Sequence, residues 1–199
     1  MKADDAVVLE EDGPVAVLRF NRPAARNPLS SPTLALLESL FNSLAARAEV
    51  VAVVFTGSRD VFASGADIRE VGALTPESAR RFAARGQRLF QTIAGARPLT
   101  VAAVEGFCMG GALDLALACR VRVASPAATF AHPGSRLGII TGWGGTQRLP
   151  LLVGDALAFE MLLTGRRLSG AEAYAAGLVQ HLAERPVERA RQIARAWGR

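Results

Sequence analysis

The residues best suited to chemistry lie in one stretch, Val101-Ala-Ala-Val-Glu-Gly-Phe-Cys-Met-Gly-Gly-Ala-Leu-Asp-Leu-Ala-Leu-Ala-Cys119. Gly106, Gly110 and Gly111 let the backbone turn sharply and approach a ligand closely. Good helix formers follow, from Gly111 to Cys119. The first turn of that helix carries N–H groups without an intrahelical partner, and the helix dipole adds partial positive charge there. Such a terminus can receive an anion or an oxyanion. Asp114 stands one turn in, a carboxylate in apolar company. It can handle a proton, or it can be a capping-type acid near the start of a core helix.

Other elements must position this helix. Thr100 to Val104 is short, apolar and partly β-branched, as a covered strand is. Val7–Glu10 and Val15–Phe20 flank a Glu-Asp-Gly-Pro turn and read as a hairpin. Asn21 to Leu29 is a polar, proline-punctuated loop. Ser31 as a cap, with Pro32 at the first position, predicts a helix to about Arg47. Its inner face carries Leu34, Leu37, Phe41 and Leu44. Val50 to Thr56 is a strand apolar on both faces, and a loop runs from Ser58 to Ile68. Thr75-Pro76 opens a second amphipathic helix, with Phe82, Gly86, Leu89, Phe90 and Ile93 inward and Arg80, Arg81, Arg85 and Arg88 on its solvated face.

Val121–Ala124 and Thr129–Phe130 read as short strands. The glycine-rich loops His132–Gly138 and Thr141–Gly145 lack the spacing of a dinucleotide fingerprint. Helices are expected over Thr146–Val153 and Ala156–Leu163, and after the capping box Ser169-Gly-Ala-Glu172. Leu178-Val179 reads as a strand, and Pro186 begins a last helix. The strand–strand–helix rhythm argues for an α/β fold with a largely parallel core sheet.

Composition excludes several functions. Half of the 199 residues are hydrophobic, enough for one domain with a sizeable core. The formal charge of +5 is scattered, with no basic run interleaved with aromatics, so no nucleic-acid face is expected. Lys2 is the only lysine, which argues against Schiff-base chemistry and a Walker-type phosphate loop. Cys108 and Cys119 read as reduced and packed. An acidic start and the lack of a long apolar run point to a cytoplasmic protein that does not enter membranes.

Several motifs occur in a family's order: Asn21-Arg-Pro…Asn27-Pro-Leu29, Val53-Val-Phe-Thr-Gly57, Phe62-Ala-Ser-Gly-Ala-Asp-Ile68, Ala103-Val-Glu-Gly-Phe-Cys-Met-Gly-Gly111, Gly142-Trp-Gly-Gly-Thr-Gln-Arg-Leu149, Leu163-Thr-Gly165 and Ala175-Ala-Gly-Leu-Val179. In these the chain resembles the crotonase superfamily of enoyl-CoA hydratases and isomerases. The resemblance implies a crotonase (ClpP-like) spiral of ββα units over residues 1–185. Residues 186–199 would be only the start of the usual C-terminal helical segment, leaving an edge that favours a partner. It also implies an acyl-CoA thioester substrate, no metal, no cofactor beyond the substrate's own coenzyme A, and a homo-oligomer, trimer or hexamer. By position, the N–H groups of Ser64 and Gly111 would hold the thioester oxygen as it becomes an enolate. Ala24, Ala25, Arg26, Ala66, Asp67 and Ile68 match positions that line the CoA site, although Asp67 reads first as structural, satisfying nearby backbone N–H groups.

Two positions depart from the hydratase pattern. The first catalytic glutamate falls on Asp114, shorter by roughly 1.5 Å. The second falls on Gly134, which has no side chain. By resemblance to dihydroxynaphthoyl-CoA synthases, a glycine there leaves room for a water or a small anion. His132, two residues earlier, titrates near neutrality and can replace a lost acid, or can hydrogen-bond locally at a strand end. Three readings follow: an acyl-CoA hydratase or isomerase using Asp114, a non-catalytic acyl-CoA binder, and a thioesterase-like member with Ser64, His132 and Asp114 as a triad. Trp143 reads as packing near its loop, or as lining the acyl pocket.

Overall fold

The computed structural model describes residues 5–197, so Lys2 and the last two residues of the expected C-terminal segment lie outside the described residues. The elements run in the order β1 (Val7–Asp12), β2 (Val15–Phe20), β3 (Pro28–Leu29), α1 (Ser31–Ala46), β4 (Ala52–Thr56), β5 (Val61–Ala63), β6 (Gly65–Ala66), α2 (Ile68–Gly72) and α3 (Pro76–Ala94). They continue with β7 (Leu99–Val104), β8 (Phe107–Met109), α4 (Gly111–Ala118), β9 (Val121–Ala124), β10 (Thr129–Ala131), α5 (Gly145–Val153), α6 (Asp155–Thr164), β11 (Leu168–Ser169), α7 (Gly170–Ala175), β12 (His181–Leu182) and α8 (Pro186–Trp197). Among these residues no helix is long and apolar enough to cross a membrane.

The large sheet has the order β1-β2-β4-β7-β9-β12, parallel except for the β1–β2 hairpin. A smaller sheet has the order β11-β10-β8-β5. Each repeat sends its first strand to the large sheet and its second to the small one: β4 then β5, β7 then β8, β9 then β10. This is the expected α/β spiral of ββα units.

Strands β4 and β7 are buried at every residue. Alternate residues serve two cores, as a period of two requires. Val53 and Phe55 join the larger core with α1, α3 and α4, whereas Ala52 and Val54 face the other side. Helix α8 covers that second side, burying Ala190 and Ala194. Helix α4 is buried from Ala112 to Ala118. Its C-terminal carbonyls are held by buried Arg122, which donates to Ala116 O (3.3 Å) and Cys119 O and ties them to Leu178 O (2.7 Å).

Two local expectations need correction. The cap of α1 is Ser30, whose Oγ accepts the Thr33 N–H, while Ser31 binds the Glu70 carboxylate through both its N–H and its hydroxyl. Leu178 and Val179 are buried without forming a strand; the edge strand comes two residues later, at His181–Leu182.

Candidate active site

A cavity of about 260 Å³ opens between α2, α3, the start of α4 and the loop that follows β10. Ser64, Ala66, Ile68, Gly111, His132 and Gly134 line it. Asp114, fully buried, lies behind this wall, and Ala24, Ala25, Arg26 and Asp67 also stand outside the lining.

One wall presents backbone amides. Gly111 opens α4, so its N–H has no partner within the helix, and no other backbone group among the described residues takes it up. Strand β6 lies against it because Gly65 adopts a φ of 91°. A Cβ on Gly65 would stand 2.6 Å from Met109 O and 2.9 Å from Gly111 N. The Ser64 N–H, expected to face a ligand, is instead donated to Arg26 O at 3.0 Å. The amide that turns toward Gly111 belongs to Ala66. In the β3–β6 ladder Gly65 pairs with Pro28 and Ala66 with Leu29. Pro28 has no N–H, so the ladder runs through Gly65 and the Ala66 N–H points away from β3. The Ala66 nitrogen lies 3.4 Å from the place of a Cβ on Gly111.

The turn behind Ser64 is held by Asn27, a non-glycine residue with a φ of 50°. Its buried side chain accepts the Arg22 N–H (2.7 Å) and donates to Val61 O and Phe62 O (both 3.1 Å). Ala24, Ala25 and Arg26 are exposed on this turn. Asp67 caps α2 by accepting the Arg69 N–H at 2.9 Å.

The second wall contains a buried carboxylate and an imidazole. Asp114 Oδ2 accepts the Thr141 hydroxyl and the Trp143 N–H (3.1 Å). The Gly145 N–H, at the start of α5, and the charge of Arg148 add to this cradle. Burial nevertheless dominates and pushes Asp114 up to about 6. Its Oδ1 faces His132 Nε2 at 3.4 Å. Burial pulls His132 down to about 4, so at neutral pH the pair is a carboxylate beside a neutral imidazole. Asp114 Oδ1 and both ring nitrogens of His132 are buried and, among the described residues, lack a hydrogen-bond partner. The close approach depends on Gly145. A Cβ there would overlap Asp114 Oδ1 and come within 2.9 Å of His132 Cε1.

Gly134 lines the cavity, but the direction a side chain would take from it is filled. A Cβ there would stand 2.8 Å from Ile139 O, because Ile139 folds back to donate its N–H to Gly134 O at 3.0 Å. His132 makes no side-chain capping bond to the turn it opens. Among the described residues no hydrogen bond joins Ser64 Oγ to His132, so the triad is not assembled.

Sequence reasoning missed Thr141, Gly145 and the Ala66 amide. The signal was available for two of them. A glycine-rich loop running into a helix offers N–H groups to an acid, and Asp114, a carboxylate in apolar company, was a candidate to receive them.

On this α/β spiral, the Gly111 and Ala66 amides and a buried acid–imidazole couple are brought to one cavity. The chain belongs to the enoyl-CoA hydratase/isomerase family, whose sequence model matches residues 10–198. It is 38% identical over 179 residues to the short-chain-enoyl-CoA hydratase of Clostridium acetobutylicum, covering 89% of this chain and 69% of that protein. It is 37% identical over 198 residues to the crotonyl-CoA hydratase of Syntrophomonas wolfei, covering 99% and 76%. Among solved structures, an enoyl-CoA hydratase from Bacillus anthracis superposes with a TM-score of 0.91 at 31% identity, over 98% of this chain and 77% of that one. Pseudomonas aeruginosa DspI gives 0.92 at 31% identity, over 98% and 82%.

Proposed function

We propose that this chain hydrates a 2-enoyl-CoA thioester through the enolate. The observation that carries the reading is the set of three buried polar atoms without partners, Asp114 Oδ1 and the two ring nitrogens of His132, beside a cavity whose wall offers two amides. The thioester oxygen accepts the N–H groups of Ala66 and Gly111, which strengthen their hold as negative charge develops. Neutral His132 takes a proton from water while the water oxygen bonds to the β-carbon and the π electrons move onto the thioester oxygen. The imidazolium is stabilised by the Asp114 carboxylate. The enolate then collapses, taking the proton from His132 at the α-carbon. The exposed turn Ala24–Arg26 and the start of α2 at Ile68 carry the nucleotide end of coenzyme A. The hydratase names of its relatives support this choice of reaction.

The test is loss of the conjugated enoyl-thioester absorbance of crotonyl-CoA. Turnover is expected, and Asp114→Asn should lower it by roughly a hundredfold or more. One observation favours a second reading, an acyl-CoA binder without turnover: the Ile139 carbonyl stands where the family's second acid would attach. Tight binding of crotonyl-CoA with no loss of absorbance would select that reading.

A further inference from the structure

We infer that Trp143 is the specificity-determining residue of this site and restricts the acyl group to short chains; the inference rests on the acyl-CoA reading above. Trp143 is only 3% exposed, and its indole bridges two helices. One end of the ring system lies on Gly111 and the other on Gly86 of α3, so closely that a Cβ on either glycine would overlap it. Phe90 meets it edge-on, with centroids 5.6 Å apart and planes at 88°, and Phe82 packs at 5.2 Å and 43°. The indole therefore plugs the gap between α3 and α4 directly beside the Gly111 amide.

Under this inference a longer chain, running from a carbonyl held at Gly111, would occupy that gap. The remaining cavity, about 260 Å³, falls below the usual range of roughly 300–1,000 Å³ for drug-sized ligands. It suits a thioester and a few carbons. Two glycines on separate helices make the plug possible, Phe82 and Phe90 hold the ring, and Trp143 lines the cavity. The backbone N–H of Trp143 serves Asp114 independently of the indole. Replacing the side chain thus changes the pocket without removing that hydrogen bond.

The experiment compares Kd values of butyryl-, octanoyl- and dodecanoyl-CoA by calorimetry, and kcat/KM for the matching 2-enoyl-CoAs. Trp143→Ala opens a space comparable to cavities of about 150 Å³ that accept benzene. Its octanoyl-to-butyryl preference should rise at least tenfold over wild type. Gly86→Ala acts in the opposite direction, pressing the indole into the cavity, and should lower that ratio by threefold or more; it keeps the test alive if the tryptophan variant does not fold. Length preferences unchanged in both variants, or in the folded one alone, would overturn the inference. Binding of none of the acyl-CoAs by wild type would instead overturn the acyl-CoA reading, and this inference with it. Because binding is read separately from turnover, absence of catalysis alone leaves the length comparison decisive.

Discussion

The two loops that frame the cavity are built in opposite ways. Thr141–Gly145 is organised around a single carboxylate: a hydroxyl, the Trp143 N–H and the start of α5 all converge on Asp114. The turn Pro133–Leu137 closes on its own backbone through Ile139 and leaves both His132 nitrogens and Ser135 Oγ without partners. A buried group that must keep its position is surrounded by donors. Here only Asp114 Oδ2 is so surrounded; Asp114 Oδ1 and the two ring nitrogens of His132 are left unsatisfied among the described residues, a cost that a bound ligand would offset. In the proposed mechanism this difference separates the carboxylate that orients from the imidazole that meets the substrate.

Gly145→Ala attacks the first loop hardest. The new methyl group occupies the place of Asp114 Oδ1, so the carboxylate must leave its cradle. Crotonyl-CoA hydration should fall by about a hundred- to ten-thousandfold, measured as kcat/KM. Activity near wild type would mean that the Asp114–His132 approach is dispensable.

Asp114→Asn sharpens the comparison through stability. Asp114 binds its proton more tightly folded than unfolded, about 6 against 3.8. Its contribution to stability is therefore full below pH 3.8 and lost as pH rises through about 6. His132, at about 4 against 6.5, does the reverse: its contribution is full above 6.5 and lost as pH falls through about 4. In the wild type the two oppose each other across this window. In Asp114→Asn only the histidine effect remains, so Tm should fall more steeply on acidification from pH 6.5 to 4. Parallel Tm–pH curves for the two proteins would contradict the opposed burial of the pair.

Gly134→Glu tests the second loop. Its Cβ meets the Ile139 carbonyl, so the side chain enters only with displacement of the turn. A loss of about 1–3 kcal/mol is expected, read as a Tm decrease of several degrees, with no gain in hydration. Higher turnover would show that the turn accommodates a second acid. The smallest change should come from Thr141→Val. Losing one hydrogen bond to a charged carboxylate moves Asp114 further up, so the acid limb of the pH–rate profile should shift upward. The rate at pH 7 should fall by about tenfold or less.

Much of this was legible locally. Continuous apolar runs announced β4 and β7, and the Ser169–Glu172 box was read from four residues and is formed in full. The glycine pattern around Gly111 located the amide-bearing helix start. What was not legible depends on partners far away in sequence. Ser64 gives its N–H to Arg26 O, and the Ala66 N–H is turned outward by the β3–β6 register at Pro28, so neither outcome follows from the residue's own type. Nothing in the sequence pattern near Gly134 showed that Ile139 would block a side chain there. Trp143 could be placed near its loop, but the two glycines that receive its ring come from α3 and α4. The hydrophobic pattern likewise favoured Leu178–Val179 as a strand, although burial there comes from packing and the edge pairing is made by His181 and Leu182.

The most direct test of the central claim is kcat/KM for crotonyl-CoA hydration by His132→Ala, with the Kd of butyryl-CoA measured on the same protein. If His132 is the cavity-facing proton carrier and Asp114 acts through it, turnover should fall by about a hundred- to ten-thousandfold while butyryl-CoA binding changes little. Asp114→Asn placed on top of it should cost little more. Hydration near the wild-type rate in His132→Ala, with Asp114→Asn still inactive, would contradict this and make Asp114 the group that meets the substrate.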